Sequence, residues 1–221
     1  MGYERYFTVF LDTYSIADFQ PFNSFVEKLK GIDDELNTTY EKKKKYLSDK
    51  LSEPNIDADP IFSELEKLYS EKDSFQSEMY KALVILLYSS IEIKLKKILQ
   101  LYVKTHLDQV SESIDDIENY NIDKIKEKIS RYFKTVNFSD ITSYTEVYGV
   151  DVLRLLNNCL KHKGVASKNL EKKSAGKWKK KDTIMITEDQ FYKLKKNSED
   201  FICEIVKKCK EYTKNKRNKQ Q

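Results

Sequence analysis

Histidine is almost missing from this chain: of 221 residues only His106 and His162 carry an imidazole, and they lie too far apart to give a metal-ligand spacing. No metal and no other cofactor is therefore expected. Glycine (five) and proline (three) are equally scarce, which leaves no Gly-rich phosphate loop and favours long helices with few turns. The three cysteines, Cys159, Cys203 and Cys209, are odd in number and scattered, and they read as buried free thiols of a reducing compartment. The longest apolar run, residues 82–90, is too short to span a bilayer. The N-terminus carries charges early and lacks a signal-peptide pattern, and Tyr6 breaks the myristoylation pattern that Met1-Gly2 would start. The expectation is a soluble, cytoplasmic chain away from the membrane.

What the chain has in plenty is charge and aromatic mass. Charged residues make up 34%, yet 40 basic and 36 acidic side chains nearly cancel, to a net +4. That balance permits nucleic-acid contact without arguing for it. Fifteen Tyr and eleven Phe supply the apolar bulk of a core that 221 residues are enough to bury. The basic stretch 207–219 reads as a solvated tail.

Apolar residues recur three or four apart from Phe22 through Val26, Leu29, Ile32 and Leu36 to Leu51, which predicts an amphipathic helix of about thirty residues. Its lysine run, 42–45, reads as an exposed face. Pro54 and Pro60 interrupt it. The period resumes from Ile61 to Tyr102, as one very long helix or as two joined near Asp73-Ser74, where an N-cap fits. These segments form an antiparallel hairpin whose apolar seam packs on its own chain or on a second subunit. The first twenty residues fit a helix or a strand. Residues 110–121 read as linker or short turn, 122–133 as helix, 135–149 and 165–182 as loops, and 183–187 as a brief strand. Thr187 and Gln190 form a capping box ahead of a closing helix. Glu92 on the apolar second helix calls for a salt-bridge partner, and His106 fits the carbonyl end of that helix. The fold class is all-α: an N-terminal hairpin over residues 1–75, a helical bundle over 76–215, a basic tail over 216–221, and at most one short β-strand pair.

The stretch 151–164, Asp-Val-Leu-Arg-Leu-Leu-Asn-Asn-Cys-Leu-Lys-His-Lys-Gly, carries the functional expectation. At about 100° per residue, Val152, Leu155, Leu156, Cys159 and Leu160 share one side, while Arg154, Asn157, Asn158, Lys161 and His162 share the other. No carboxylate follows Asp151 on that helix, so the polar side suits an anion. Histidine titrates near neutrality and can move a proton, arginine binds phosphate as a fork, and lysine binds it as a point charge. A simple helix-end histidine beside Gly164 is the plainer reading of His162. Tyr144 and Tyr148 lie just ahead of the helix and could stack on a base, though with fifteen tyrosines in the chain core packing is the better account of them.

The order of these parts resembles the HEPN superfamily of small helical bundles: Leu-Tyr-Ser-Ser-Ile-Glu-Ile-Lys-Leu-Lys-Lys-Ile-Leu (87–99), the motif helix, Thr-Ile-Met-Ile-Thr (183–187) and a closing helix. The resemblance covers roughly residues 76–212. In that family an Arg, usually followed by a polar residue, precedes a His by four to six positions. Many members are metal-independent endoribonucleases of defence and toxin–antitoxin systems, with two motif helices facing each other in a dimer. The resemblance implies His162, Arg154 and Asn158 as catalytic residues, and Lys161 and Asn157 as substrate-binding ones. It implies RNA as substrate, with tRNA among the candidates, a homodimer, and a protein partner from the same system. Here seven residues separate Arg154 from His162, and Asn stands at the closer position. Some family members are inactive and serve as binding modules, which is the alternative expectation. A DNA-binding role lacks a recognisable reading helix.

Overall fold

The computed structural model describes residues 3–54, 56–106, 110 and 112–218, and its architecture is all-α. Among the described residues there is no strand and no sheet; the stretch expected as a brief strand contributes only an isolated antiparallel bridge between Val165 and Thr183. No described helix is long and apolar enough to cross a membrane. The 219–221 end of the expected basic tail lies outside the described residues.

Helix α1 (Tyr3–Thr13) settles the undecided N-terminus. A helix of 11 residues is marginal alone, so packing holds it. Phe7 and Leu11, one turn apart, are buried against helices of the bundle. The Phe7 ring stacks on Phe133 at 5.3 Å and meets Tyr102 edge-on at 5.7 Å. Burying a phenylalanine contributes about 1.5–3 kcal/mol, enough to decide between the two forms.

Helix α2 (Gln20–Leu51) begins with Pro21 in its first turn, where a missing N–H costs nothing. Helix α3 (Asp59–Thr105) runs unbroken for 47 residues. Of the two alternatives the single long helix is the one found: Asp73-Ser74 stays helical, and Leu68, Ser77 and Tyr80 carry the buried seam straight through it. Gln76 Nε2 also reaches Asp33 on α2, at 3.0 and 3.1 Å, and ties the two helices together there. Within the chain, α2 and α3 pack against each other. The main core runs from Phe7 and Val26 to Cys209 and takes in α3 from Tyr80 onward, while Leu47, Ile61 and Leu68 are buried apart from it nearer the tip of the hairpin; residue 75 itself, the expected boundary, lies within α3.

After α3 the chain turns through short helices. Ser113 and Asp116 cap α4 (Ile114–Glu118) reciprocally, and Asn121 caps α5 (Ile122–Tyr132). The expected loop 135–149 holds a 3₁₀ turn, Phe138–Asp140, and the one-turn α6 (Thr142–Thr145). Helix α7 (Val150–His162) packs on α3, and α8 (Lys168–Lys173) occupies part of the other expected loop. The closing α9 (Glu188–Asn218) starts at the expected capping box, with Gln190 N–H donating to Thr187 Oγ1 at 3.3 Å and Thr187 N–H to Gln190 Oε1 at 3.0 Å.

Candidate functional site

Gly149 fixes where α7 begins. A Cβ there would lie 2.6 Å from the Tyr144 carbonyl oxygen, so only glycine lets the chain pass α6 so closely. Val150, Val152, Leu153 and Leu156 then face the core. At the far end the Lys163 and Gly164 N–H groups both donate to the Cys159 carbonyl, at 3.1 and 2.9 Å, and Gly164 turns left-handed at φ +65°. Nothing crowds Gly164, so its requirement is conformational. Between these two glycines Arg154, Asn158 and His162 fall four residues apart and form one ridge of about 12 Å.

Arg154 is held before any ligand arrives. Its Nη2 and Nε donate to Asp151 Oδ1 at 2.8 and 3.2 Å, and Lys173 of α8 pairs with Asp151 Oδ2 at 3.1 Å. Burial pushes the Asp151 carboxyl upward, but its bonds to Arg154 and Lys173 outweigh that and hold it below the ordinary carboxylate range. For Arg154 burial works against the charge, and the bond to Asp151 more than restores it. The same field includes Tyr144 and Asp123, and Lys126 links those two by donating to Tyr144 Oη at 2.8 Å and pairing with Asp123 at 2.9 Å. Burial, and the Glu92 charge after it, push the Tyr88 phenol well up, so it stays neutral beside them.

The ridge borders a groove of 480 Å³ lined by α7 on one side and residues 165–169 on the other. Leu155, Cys159, Val165 and Ala166 make its floor apolar, and Arg154, Asn158, His162, Ser167 and Asn169 put polar groups along it. His162 and Asn158 are exposed, Arg154 half-buried. An apolar floor with an arginine and a histidine at its edge has the chemistry to seat a planar base and hold a neighbouring phosphate.

The structure therefore brings together three of the five residues singled out from the sequence. Lys161 is exposed on the same helix but does not line the groove. Asn157 turns inward and is buried, with its Oδ1 lacking a hydrogen-bond partner and its Nδ2 only 3.4 Å from Asn158 Oδ1. Asp151, Lys163, Lys173, Ser167 and Asn169 also belong to the site, and sequence reasoning missed them. Of these, the Asp151–Arg154 pair is legible from its i, i+3 spacing.

His106 is buried at the end of α3, stacked 4.1 Å from Tyr102, with Nδ1 3.0 Å from the Tyr102 carbonyl oxygen. Tyr144 packs on Phe138 and Phe201, and Tyr148 meets Trp178 edge-on. Glu92 pairs with Lys96 at 3.4 Å. All three cysteines are free. Cys209 is buried as expected, but Cys203 is exposed: it lies on the solvent side of α9, about 200° round from Phe201. Among the described residues no group of three or more His, Cys, Asp or Glu is placed to hold a metal.

No protein-family model matches the chain, and no curated protein or solved structure matches it.

Proposed function

We propose that this protein is a metal-independent endoribonuclease with His162 as its proton-transfer group, of the kind used in prokaryotic defence or toxin–antitoxin systems. The observation that carries the reading is that His162, Arg154 and Asn158 share one solvent-open groove. In such a cleavage the ribose 2′-oxygen attacks phosphorus, the 5′-oxygen leaves, and a 2′,3′-cyclic phosphate remains. One group must take the 2′-hydroxyl proton and another must protonate the leaving oxygen. Arg154 supplies charge at the phosphate, and Asn158 orients the imidazole or the ribose. One chain offers one exposed histidine, so a symmetric dimer with two ridges facing one cleft completes the pair. An unpaired, unstacked stretch of RNA, as in a tRNA loop, fits the apolar floor.

A second reading rests on the Asp151–Arg154 pair. An arginine already neutralised by a carboxylate suits a catalytically silent module that binds RNA or a partner protein of the same system. Incubating the protein with RNA in EDTA, beside His162→Ala and Arg154→Ala, separates them. Cleavage by the wild type and its loss in His162→Ala support the nuclease. Cleavage that survives both changes removes these residues from the reaction, and no cleavage by any form favours the binding module.

A further inference from the structure

Charge is distributed very unevenly along this nearly neutral chain. Residues 161–182 hold nine lysines against Glu171 and Asp182, a net of +7. Because the whole chain carries +4, everything else together carries −3. The excess positive charge is thus folded beside the groove of His162.

The segment is built rather than merely basic. Ala166, Leu170, Ser174 and Trp178, every fourth residue, are buried. The Trp178 indole N–H donates to the Met185 carbonyl at 3.0 Å. Ala166 and residues 181–182 exchange backbone hydrogen bonds of 2.9 and 3.0 Å, and Ile184 N–H donates to Gly164 O at 2.8 Å, which closes the segment onto the end of α7. With those anchors turned inward, Lys168, Lys172, Lys177, Lys179, Lys180 and Lys181 are all exposed. Lys181 is held at φ +74°, a conformation that glycine or asparagine adopts at less cost. Lys173 reaches back to Asp151, so the basic segment and the arginine of the groove share one carboxylate.

From these placements we infer that segment 165–182 is a phosphate track: it binds the sugar–phosphate backbone of a single-stranded RNA and feeds it to the groove beside His162. The inference rests on the reading of that groove as an RNA site and adds where the strand lies. A run of exposed lysines recognises phosphates with little regard to sequence, while the apolar floor takes one base. Binding without sequence preference and with a steep salt dependence follows.

The test uses the full-length protein and a 2′-O-methylated mixed-sequence strand of about 16 nucleotides, which binds without being cut. In one variant Lys168, Lys172, Lys177, Lys179 and Lys180 become Gln; in a control, Lys42, Lys43, Lys44, Lys45 and Lys50 of α2 become Gln and remove the same charge. The track variant is expected to bind at least about tenfold more weakly near 100 mM salt, with a salt slope reduced by two or more, about 0.7 for each phosphate no longer neutralised. The control is expected to stay within about twofold. On the wild type, acetylation of the track lysines followed by mass spectrometry is expected to fall when the strand is added, which keeps the test sound if the variant misfolds. Equal loss in both variants, or unchanged acetylation, overturns the inference. So does polyglutamate displacing the strand as well as unlabelled RNA does, since the ligand would then be any acidic polymer. A track variant that binds and cleaves like the wild type sinks the track and leaves the nuclease. A wild type that binds through these lysines yet never cleaves does the reverse.

Discussion

Asp151 and Arg154 stand three residues apart on α7, and the carboxylate accepts two hydrogen bonds from the guanidinium while 10% of its side chain remains exposed. The pair sets the arginine's direction along the groove. Asp151→Asn keeps the shape and removes the charge, so it is expected to cost about 1–3 kcal/mol at pH 7, leaving Arg154 and Lys173 without their counter-ion. The sign with pH follows from the lowered carboxyl. The contribution is fully present above about pH 4, the unfolded carboxylate value, and is lost as pH falls through the lower folded value. Thermal melts of both forms at pH 7 and near pH 3 check this: the gap in melting temperature narrows in acid. A gap of constant size means that the charge of Asp151 contributes nothing.

Asn157 is the one polar residue of the motif helix's cationic side that turns inward, and its Oδ1 has no hydrogen-bond partner. A buried unsatisfied amide costs about 1–3 kcal/mol. Asn157→Leu, which removes that amide, is therefore expected to melt a few degrees above the wild type. If the amide steers Asn158, RNA cleavage falls in the same variant, the familiar opposition between stability and a working site. A melting point several degrees lower shows that the Oδ1 is satisfied after all.

How much of this is written in the sequence depends on how local the cause is. The α2 and α3 helices follow from apolar spacing alone, and so does the ridge of Arg154, Asn158 and His162. The far wall of the groove does not. Ser167 and Asn169 reach it only because Ala166 pairs with residues 181–182, a long-range contact with no periodic signal. Residues 135–149 look like loop for the same reason: α6 is a single turn, held by packing on α7 and α9. Cys203 has a misleading context. Phe201, Ile202, Ile205 and Val206 surround it in sequence, yet on a helix they face one way and it faces the other.

The thiols give a direct readout of global opening. Burial pushes the Cys209 thiol far up, and nothing of it reaches solvent. Cys203 is exposed, with its thiol raised first by partial burial and then by Asp200 and Glu199. Alkylation at about pH 8, near the ordinary thiol value, is expected to modify Cys203 slowly in the native protein and Cys209 only in denaturant. The rate at Cys209 then tracks the unfolded population. Fast native labelling of Cys209 means that the α9 end of the core opens locally.

Gly149 offers the sharpest test of how the site is positioned. Its φ of −76° suits any residue, so conformation does not require glycine there. Space does: an added Cβ would meet the Tyr144 carbonyl oxygen and carbon at 2.6 and 2.8 Å and the Ser143 oxygen at 2.9 Å, all backbone atoms that cannot swing aside. Gly149→Ala must therefore push α6 away from the start of α7, at about 1–3 kcal/mol. Asp151 and Arg154 sit within the first five residues of α7 and move with it, while His162, about two to three turns further on, stays anchored by Gly164 and the segment after it. The expected result is a lower melting temperature together with a loss of RNA binding greater than the loss of folded protein explains. At Gly164, by contrast, an added Cβ meets nothing and the strain is purely that of a left-handed residue, so Gly164→Asn is expected to be mild. If Gly149→Ala is as mild as Gly164→Asn, the close passage of α6 over the head of α7 does not position the groove.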